Sequence, residues 1–472
     1  MKPSDLLPSP PRLQPASTRW ALAALTSSML LSSLGASIAN VMLPTLAQTL
    51  GHAVQWVALA YLLGVTTSTV VVGRLGDLVG RRRALVGGLL LFIAAAALSG
   101  LAPSLGLLTA ARGLQGVGAA AMMALTLSFV GGIVPQERTG MAMGLLGTTS
   151  AIGTALGPSI GGALAAQLGW QAVFLAQVPA GLLALGLSLT ALPADRAPSA
   201  KGARFDHAGA LWLTLAIAAW TLAMTLGRGE SGWIRLGWLL AAGVGGVGFF
   251  MTERRASAPL VDLDLLGDRD LFGGLLMSLL VSAVLMATLV VGPFYLSLAL
   301  GLSAGTVGMV MSAGPLAAAL TGLPAGRLVD RLGTRRTTLA GLGGIGLGTS
   351  LLAVVPEAAG SLGYVLPIVV MTASYALFQA ANNTSVLRDR GPSRRGVVSG
   401  LLTLSRNLGL VTGASAMGAV FNAASGHPDL TLAPAADVAA AMRFTFALAA
   451  GGVGAALLVA RSRRASAAPS PA

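Results

Sequence analysis

The chain has 472 residues, of which 54% are hydrophobic and 10% charged, where a water-soluble domain carries about 25% charged residues. No single aqueous fold buries that much apolar surface, so most of it must face lipid. The net charge of +14 does not point to nucleic acid, because aromatics are only 5% and the basic residues fall in short clusters between apolar runs; the lack of cysteine excludes disulfides and thiolate metal sites.

A polar, Pro-rich segment, 1–18, comes first. The apolar run after it is too long for a signal-peptide core and is read as a retained helix. Runs long enough to span hydrocarbon, about 20 residues each, are predicted at 20–44, 54–73, 84–102, 105–132, 140–166, 171–192 and 207–227, then at 233–252, 270–299, 303–325, 337–355, 362–387, 396–422 and 437–460. Internal Pro and paired Gly are tolerated where neighbouring helices satisfy the freed backbone groups. With the N-terminus placed in the cytoplasm, 25 of the 30 Lys and Arg lie on that side, in clusters such as Arg81–Arg83, Arg335–Arg336 and Arg394–Arg395. Two, Arg228 and Arg235, lie opposite, and Arg112, Arg406 and Arg443 fall within helices. This asymmetry follows the positive-inside rule for an even number of crossings.

An internal repeat divides the chain. Gly73–Arg83 reads GRLGDLVGRRR and Gly326–Arg336 reads GRLVDRLGTRR, identical at seven of 11 positions, each in the loop expected after the second helix of a six-helix set. A weaker repeat relates Arg138, Gly140, Gly144, Gly153 and Gly157 to Arg394, Gly396, Gly400, Gly409 and Gly413. The expected organisation is a tail (1–18), a six-helix half (19–193), two inserted helices with flanking loops (194–269), a second six-helix half (270–460) and a tail (461–472). The fold class is all-α and polytopic, with 14 transmembrane helices. Duplicated halves are the usual build of a secondary transporter that rocks around a central site.

The segment Gly73–Arg83 resembles the signature between helices 2 and 3 of the major facilitator superfamily. That resemblance implies a cytoplasmic gate made by Gly73, Asp77, Gly80, Arg81, Gly326, Asp330, Gly333 and Arg335, none of them touching substrate. Arg112, in LTAARGLQGVGAA, resembles the helix-4 Arg linked in that superfamily to proton coupling. An Arg at mid-helix costs about 2.5–3.5 kcal/mol to insert and should face a wet cavity or a partner; Gln115 lies one turn away, and the alternative is that the Arg112 side chain only ties helices together. The helix-5 stretch AIGTALGPSIGG, with Gly153, Gly157, Pro158, Gly161 and Gly162, resembles the motif of the superfamily's antiporters; its small residues give a smooth groove for a neighbouring helix. With QWVALAYLL, GWQAVFLAQVP and PLVDLDLL, the whole chain outside the tails resembles the fourteen-helix drug:proton antiporter branch.

One departure stands out: Gly35 occupies the position where that branch carries a helix-1 Asp. All 16 acids and all three His map to loops, tails or helix ends. The candidate substrate and coupling groups are Asn40, Arg112, Gln115, Gln379, Asn382, Asn383 and Arg406, with walls from Tyr61, Tyr295 and Phe378, among helices 1, 4, 5, 9, 12 and 13. Arg112 and Arg406 would bias such a cavity positive and favour anionic or neutral amphiphiles. Arg406 has an alternative, binding carbonyls of broken neighbouring helices. No enzyme, metal site or cofactor is expected, since no chelating cluster, nucleophile–base pair or phosphate-cradling loop occurs. The resemblance implies a monomeric exporter of small amphiphilic molecules in the bacterial inner membrane, coupled to protons, with both termini cytoplasmic. The alternative is a facilitator or importer of a small metabolite or organic anion on the same fold.

Overall fold

The computed structural model describes residues 15–39, 46, 55–195, 206–226, 232–256, 259–261, 267–302, 304–388, 391, 394–427 and 433–462. Among these residues the chain is helical and contains no strand. In hydrocarbon a helix satisfies its own backbone, which is why apolar runs of this length adopt it. The first six long helices are α1 (Pro15–Ile38), α2 (Gln55–Val79), α3 (Arg81–Gly100), α4 (Leu105–Ile133), α5 (Thr139–Leu168) and α6 (Trp170–Ala191). The pair α7 (His207–Leu226) and α8 (Gly232–Glu253) follows. The last six are α9 (Arg269–Phe294, extended by a π-helical turn Tyr295–Ala299), α10 (Ala304–Leu332), α11 (Thr334–Val354), α12 (Gly360–Arg388), α13 (Arg395–Ser425) and α14 (Ala435–Ser462). Among the described residues thirteen helices are long and apolar enough to cross a membrane; the 30-residue α5 is not one of these thirteen and packs between α1 and α10.

The repeated segments are not loops. Helix α2 runs through Asp77 to Val79 and α10 runs through Asp330 to Leu332, each separated from the next helix by a single glycine. The apolar runs end where charge begins, but RLGDLV contains no residue that stops a helix, so both helices continue past the apolar span. Gly80 (φ 106°) and Gly333 (φ 81°) make the turns, in a region open to Gly at no steric cost. A Cβ on Gly80 would also strike the carboxylate of Asp195, which accepts the Arg82 and Arg83 backbone N–H groups at 2.9 Å each and so caps α3. Within α6, a turn at Ala176 separates Trp170–Leu175 from Gln177–Ala191. Pro179 lacks the N–H that the Leu175 carbonyl would take there.

The two six-helix sets pack alike. In the first, α1 packs on α5 and α6, α2 on α4, and α3 on α4 and α6. In the second, α9 packs on α13 and α14, α10 on α12, and α11 on α12 and α14. The same small residues carry equivalent contacts. Gly153 and Gly157 of α5 lie against Leu30, Ser33 and Ser37 of α1, while Gly409 and Gly413 of α13 lie against Leu279, Ser282 and Ala283 of α9. The sets meet along two seams, α2 with α13 and α5 with α10. Helix α7 lies against both α2 and α13, and the Trp220 indole N–H donates to the Thr412 hydroxyl at 3.0 Å. Val70, Ala210, Ile217, Leu260, Val261, Val397 and Leu401 form a shared apolar cluster at that seam. Helix α8 packs on α7 and turns Trp233, Leu240, Val244, Val247 and Phe250 outward, as a lipid-facing surface.

A Cβ on Gly413 would overlap the backbone of Ala283, whereas one on Gly454 of α14 meets nothing within 4 Å. Gly413→Ala should therefore lower the stability of the purified protein by about 1–3 kcal/mol, and Gly454→Ala should hold or raise it. Melting temperatures of the two variants check this; equal values would deny the close α9–α13 approach.

Candidate functional site

The carboxylates of Asp77 and Asp330 reach across the seams. The Asp77 carboxylate, 1% exposed at the end of α2, accepts the backbone N–H groups of Gly396 and Val397, both at 3.0 Å, at the start of α13. Asp330, at the end of α10, accepts those of Gly140 and Met141, both at 2.8 Å, at the start of α5. Each carboxylate thus takes two of the donors that a helix N-terminus leaves unpaired and sits at the positive end of its dipole. The glycines permit this approach: a Cβ on Gly73 would overlap the Gly396 carbonyl, and one on Gly326 would overlap that of Gly140.

The two clamps differ in their cations. Arg81 donates to Asp77 at 3.4 Å and to the Ser128 carbonyl at the end of α4 at 3.5 Å. The residue matching Arg81 beside Asp330 is Thr334, and Arg335 is exposed. Arg395, next to Gly131 at the same end, completes a basic face around the closed seams.

Behind these clamps lies a narrow cavity lined from α1, α4, α5, α9, α12 and α13. Met29, Met123, Leu127, Met143, Leu146, Gly147 and Ser150 come from the first half. Ser278, Tyr375, Phe378, Gln379, Asn382, Asn383, Leu402, Thr403 and Arg406 come from the second. Gln379 donates to the Tyr375 hydroxyl at 3.4 Å, and Asn382 donates to the Gly274 carbonyl at 3.0 Å while its own side-chain oxygen has no partner. Among the lining residues Arg406 is the sole charged group.

Of the sequence-predicted groups, Phe378, Gln379, Asn382, Asn383 and Arg406 come together here. Arg112 does not line this cavity. It is fully buried, donating to Gln115 Oε1 at 2.6 Å, the Gly35 carbonyl at 2.9 Å and the Val57 carbonyl at 3.3 Å. Its guanidinium stacks 4.2 Å over the Tyr61 ring and 5.6 Å from that of Phe174. Gln115 passes the network on to Gln177 at 3.0 Å, and the Tyr61 hydroxyl donates to the Ser32 carbonyl at 2.7 Å. The cation is held by neutral dipoles and ring faces, so α1, α2, α4 and α6 are tied together without the helix-1 acid. A Cβ on Gly35 would come within 3.1 Å of Phe92 and the Tyr61 hydroxyl. Tyr295 lies in the core of the second half, its ring 6.1 Å from that of Tyr364.

Asn40 lies outside the described residues. In α5, Gly161 packs on Ile38, and Pro158 and Gly162 share that helix. Sequence reasoning assigned no role to Gln177, whose signal was an amide inside an apolar run. It also missed Met29, Met123 and Met143, which carried no signal because methionine is ordinary core filling.

The family model of the Major Facilitator Superfamily matches residues 25–414 and, in a second match, 271–472. Among curated proteins, the "Uncharacterized transporter YebQ" of Escherichia coli is 31% identical over 394 residues, covering 82% of this chain and 86% of that protein. The "Multidrug resistance protein Stp" of Mycobacterium tuberculosis is 30% identical over 397 residues, 83% of this chain and 73% of that one. Among solved structures, the human organic anion transporter MFSD10 superposes with a TM-score of 0.70 over 95% of this chain and all of that one at 17% identity, a likeness of fold.

Two predictions follow from this geometry. Asp77→Asn and Asp330→Asn each leave one neutral acceptor where the carboxylate offered two charged ones, so one backbone N–H loses its partner, and should open the basic face at least about tenfold more often. The chain has no native cysteine, so a Leu146→Cys background labelled from the basic face with an impermeant maleimide reads this directly; unchanged labelling would refute the clamps. Arg112→Gln strands several buried acceptors and should cost about 2–4 kcal/mol. Arg406→Gln breaks no bond among the described residues and should hold or raise the melting temperature.

Proposed function

The chain belongs to the Major Facilitator Superfamily, and from that premise we propose that it exports small amphiphilic molecules by alternating access, driven by the proton gradient, as in multidrug efflux. The observation that carries this reading is a cavity whose wall is shared between two duplicated halves, closed at the basic face by two equivalent carboxylate clamps. Rocking the halves would break both clamps together and expose the same cavity to the other side. The clamps then act as the cytoplasmic gate, with Asp77 and Asp330 as latches and the paired glycines as hinge surfaces. The α5 glycines, packed on α1, form the bending and packing element expected of an antiporter.

The clustering of Arg81–Arg83, Arg335, Arg336, Arg394 and Arg395 at one end supports a cytoplasmic basic face with both termini on that side, in the bacterial inner membrane. The protein acts as a monomer in this reading, since each chain supplies both halves of the cavity. The match to Stp, whose name describes multidrug resistance, and the α7–α8 insertion favour the fourteen-helix drug:proton antiporter branch.

A second reading, a facilitator or importer of a small metabolite or organic anion, is favoured by one feature. Gly35 stands at the position of the usual helix-1 acid, and no carboxylate lines the cavity among the described residues. In the export reading protons would then travel with the substrate's own ionisable group or act at Asp77.

Everted membrane vesicles decide between the two. With the interior acidified, they should accumulate an amphiphilic probe such as fluorescein or rhodamine 123 above its external concentration, and collapsing the pH difference should abolish accumulation. Equilibration to equal concentrations with or without the gradient would establish the facilitator instead.

A further inference from the structure

Arg112 and Arg406 both sit within membrane-spanning helices, and the fold treats them oppositely. Every face of the Arg112 guanidinium is occupied, by three hydrogen-bond acceptors and two aromatic rings. Arg406, on α13, is half-buried, lines the cavity, and makes no hydrogen bond or ion pair with any described residue; its Nε is shut off from solvent and unpartnered. A guanidinium presents five N–H donors in a planar fork that matches an oxyanion in bidentate fashion. Holding these donors uncommitted at a low-dielectric site is costly, and the cost is recovered when an acceptor of opposite charge enters.

The surroundings sharpen the choice of ligand. No Asp or Glu lines the cavity to offset Arg406, so its potential attracts anions and repels cations. Gln379 and Asn383, one turn apart on α12, set amides on the same helix face. Opposite, the first half contributes Met29, Met123 and Met143, and the second adds the rings of Tyr375 and Phe378. Thioethers are polarizable and adaptable, and they contact aromatic rings favourably. The charge lies on one half and the soft apolar wall on the other, so one ligand engages both.

We propose that Arg406 is the anion anchor of this cavity and that its substrates are planar aromatic amphiphiles bearing a carboxylate or a like oxyanion. This rests on reading the cavity as the transport site. Arg112 takes no part in ligand binding.

The test uses the full chain, purified in detergent, and fluorescence anisotropy with two probes sharing a xanthene ring system: anionic fluorescein and cationic rhodamine 123. Fluorescein should bind at least about tenfold more tightly. Arg406→Gln should weaken fluorescein by at least about tenfold and leave rhodamine 123 unchanged or tighter, with Arg406→Lys intermediate. Asn383→Asp, with Arg406 in place, gives an independent reading: fluorescein should weaken and rhodamine 123 strengthen. The proposal is overturned by equal or tighter rhodamine 123 binding to the unmodified protein. An equal loss of both probes in a folded Arg406→Gln, or an unaltered preference in folded Asn383→Asp, overturns it as well. Binding in detergent requires neither gradient nor direction. Vesicles that fail to accumulate probe would therefore count against export alone, while intact charge discrimination would still uphold the anchor.

Discussion

The two halves are locked by carboxylates seated on helix N-termini, and much of the architecture serves that contact. A helix start offers unpaired N–H groups and the positive end of a dipole, but a partner helix reaches them only if nothing bulkier than hydrogen lies between. Gly73 against Gly396 and Gly326 against Gly140 provide that approach, and Asp77 and Asp330 then meet two successive donors each. Such a lock is strong when aligned and lost entirely when the helices part, because the bonds are short and directional.

The same principle, that polar groups inside hydrocarbon must find partners, separates the two central arginines. Around Arg112 the protein has built a complete shell from Gly35, Val57, Tyr61, Gln115 and Phe174, with Gln177 behind. With Gly at position 35, two main-chain carbonyls and one side-chain amide oxygen hold the cation. Arg406 has no such shell: it lines the space between the halves, and its buried Nε has no partner among the described residues. A buried, satisfied Arg is a strut, and an unsatisfied one beside a cavity is a binding group.

The inserted pair α7–α8 also acquires a physical place. Helix α7 fills the groove where α2 meets α13, and α8 shields it from one side with a lipid-facing surface. Among the described residues, α7 and α8 do not extend to the opposite seam, α5 with α10. The inserted pair therefore packs on one of the two seams and breaks the symmetry of the repeat.

Much of this was legible along the chain. Apolar runs of spanning length, Arg clusters on alternate connections and the doubled GRL-x-D pattern point to fourteen helices, twelve of them in two related sets of six, because bilayer thickness and charge sidedness act on short stretches of sequence. Small residues at intervals of four along α5 announced a helix-packing groove for the same local reason. Helix ends were less legible: the run through Asp77 and Asp330 looked like a loop because hydropathy falls there, although nothing in it breaks a helix. What the tertiary structure alone decided is which polar groups spend their hydrogen bonds on the protein and which keep them. Arg112 and Arg406 are alike in sequence, each an Arg in a Gly-rich apolar helix. Their difference lies in acceptors contributed by helices 50 or more residues away, and the gathering of Met29, Met123 and Met143 at one wall likewise depends on how separate helices are turned toward each other.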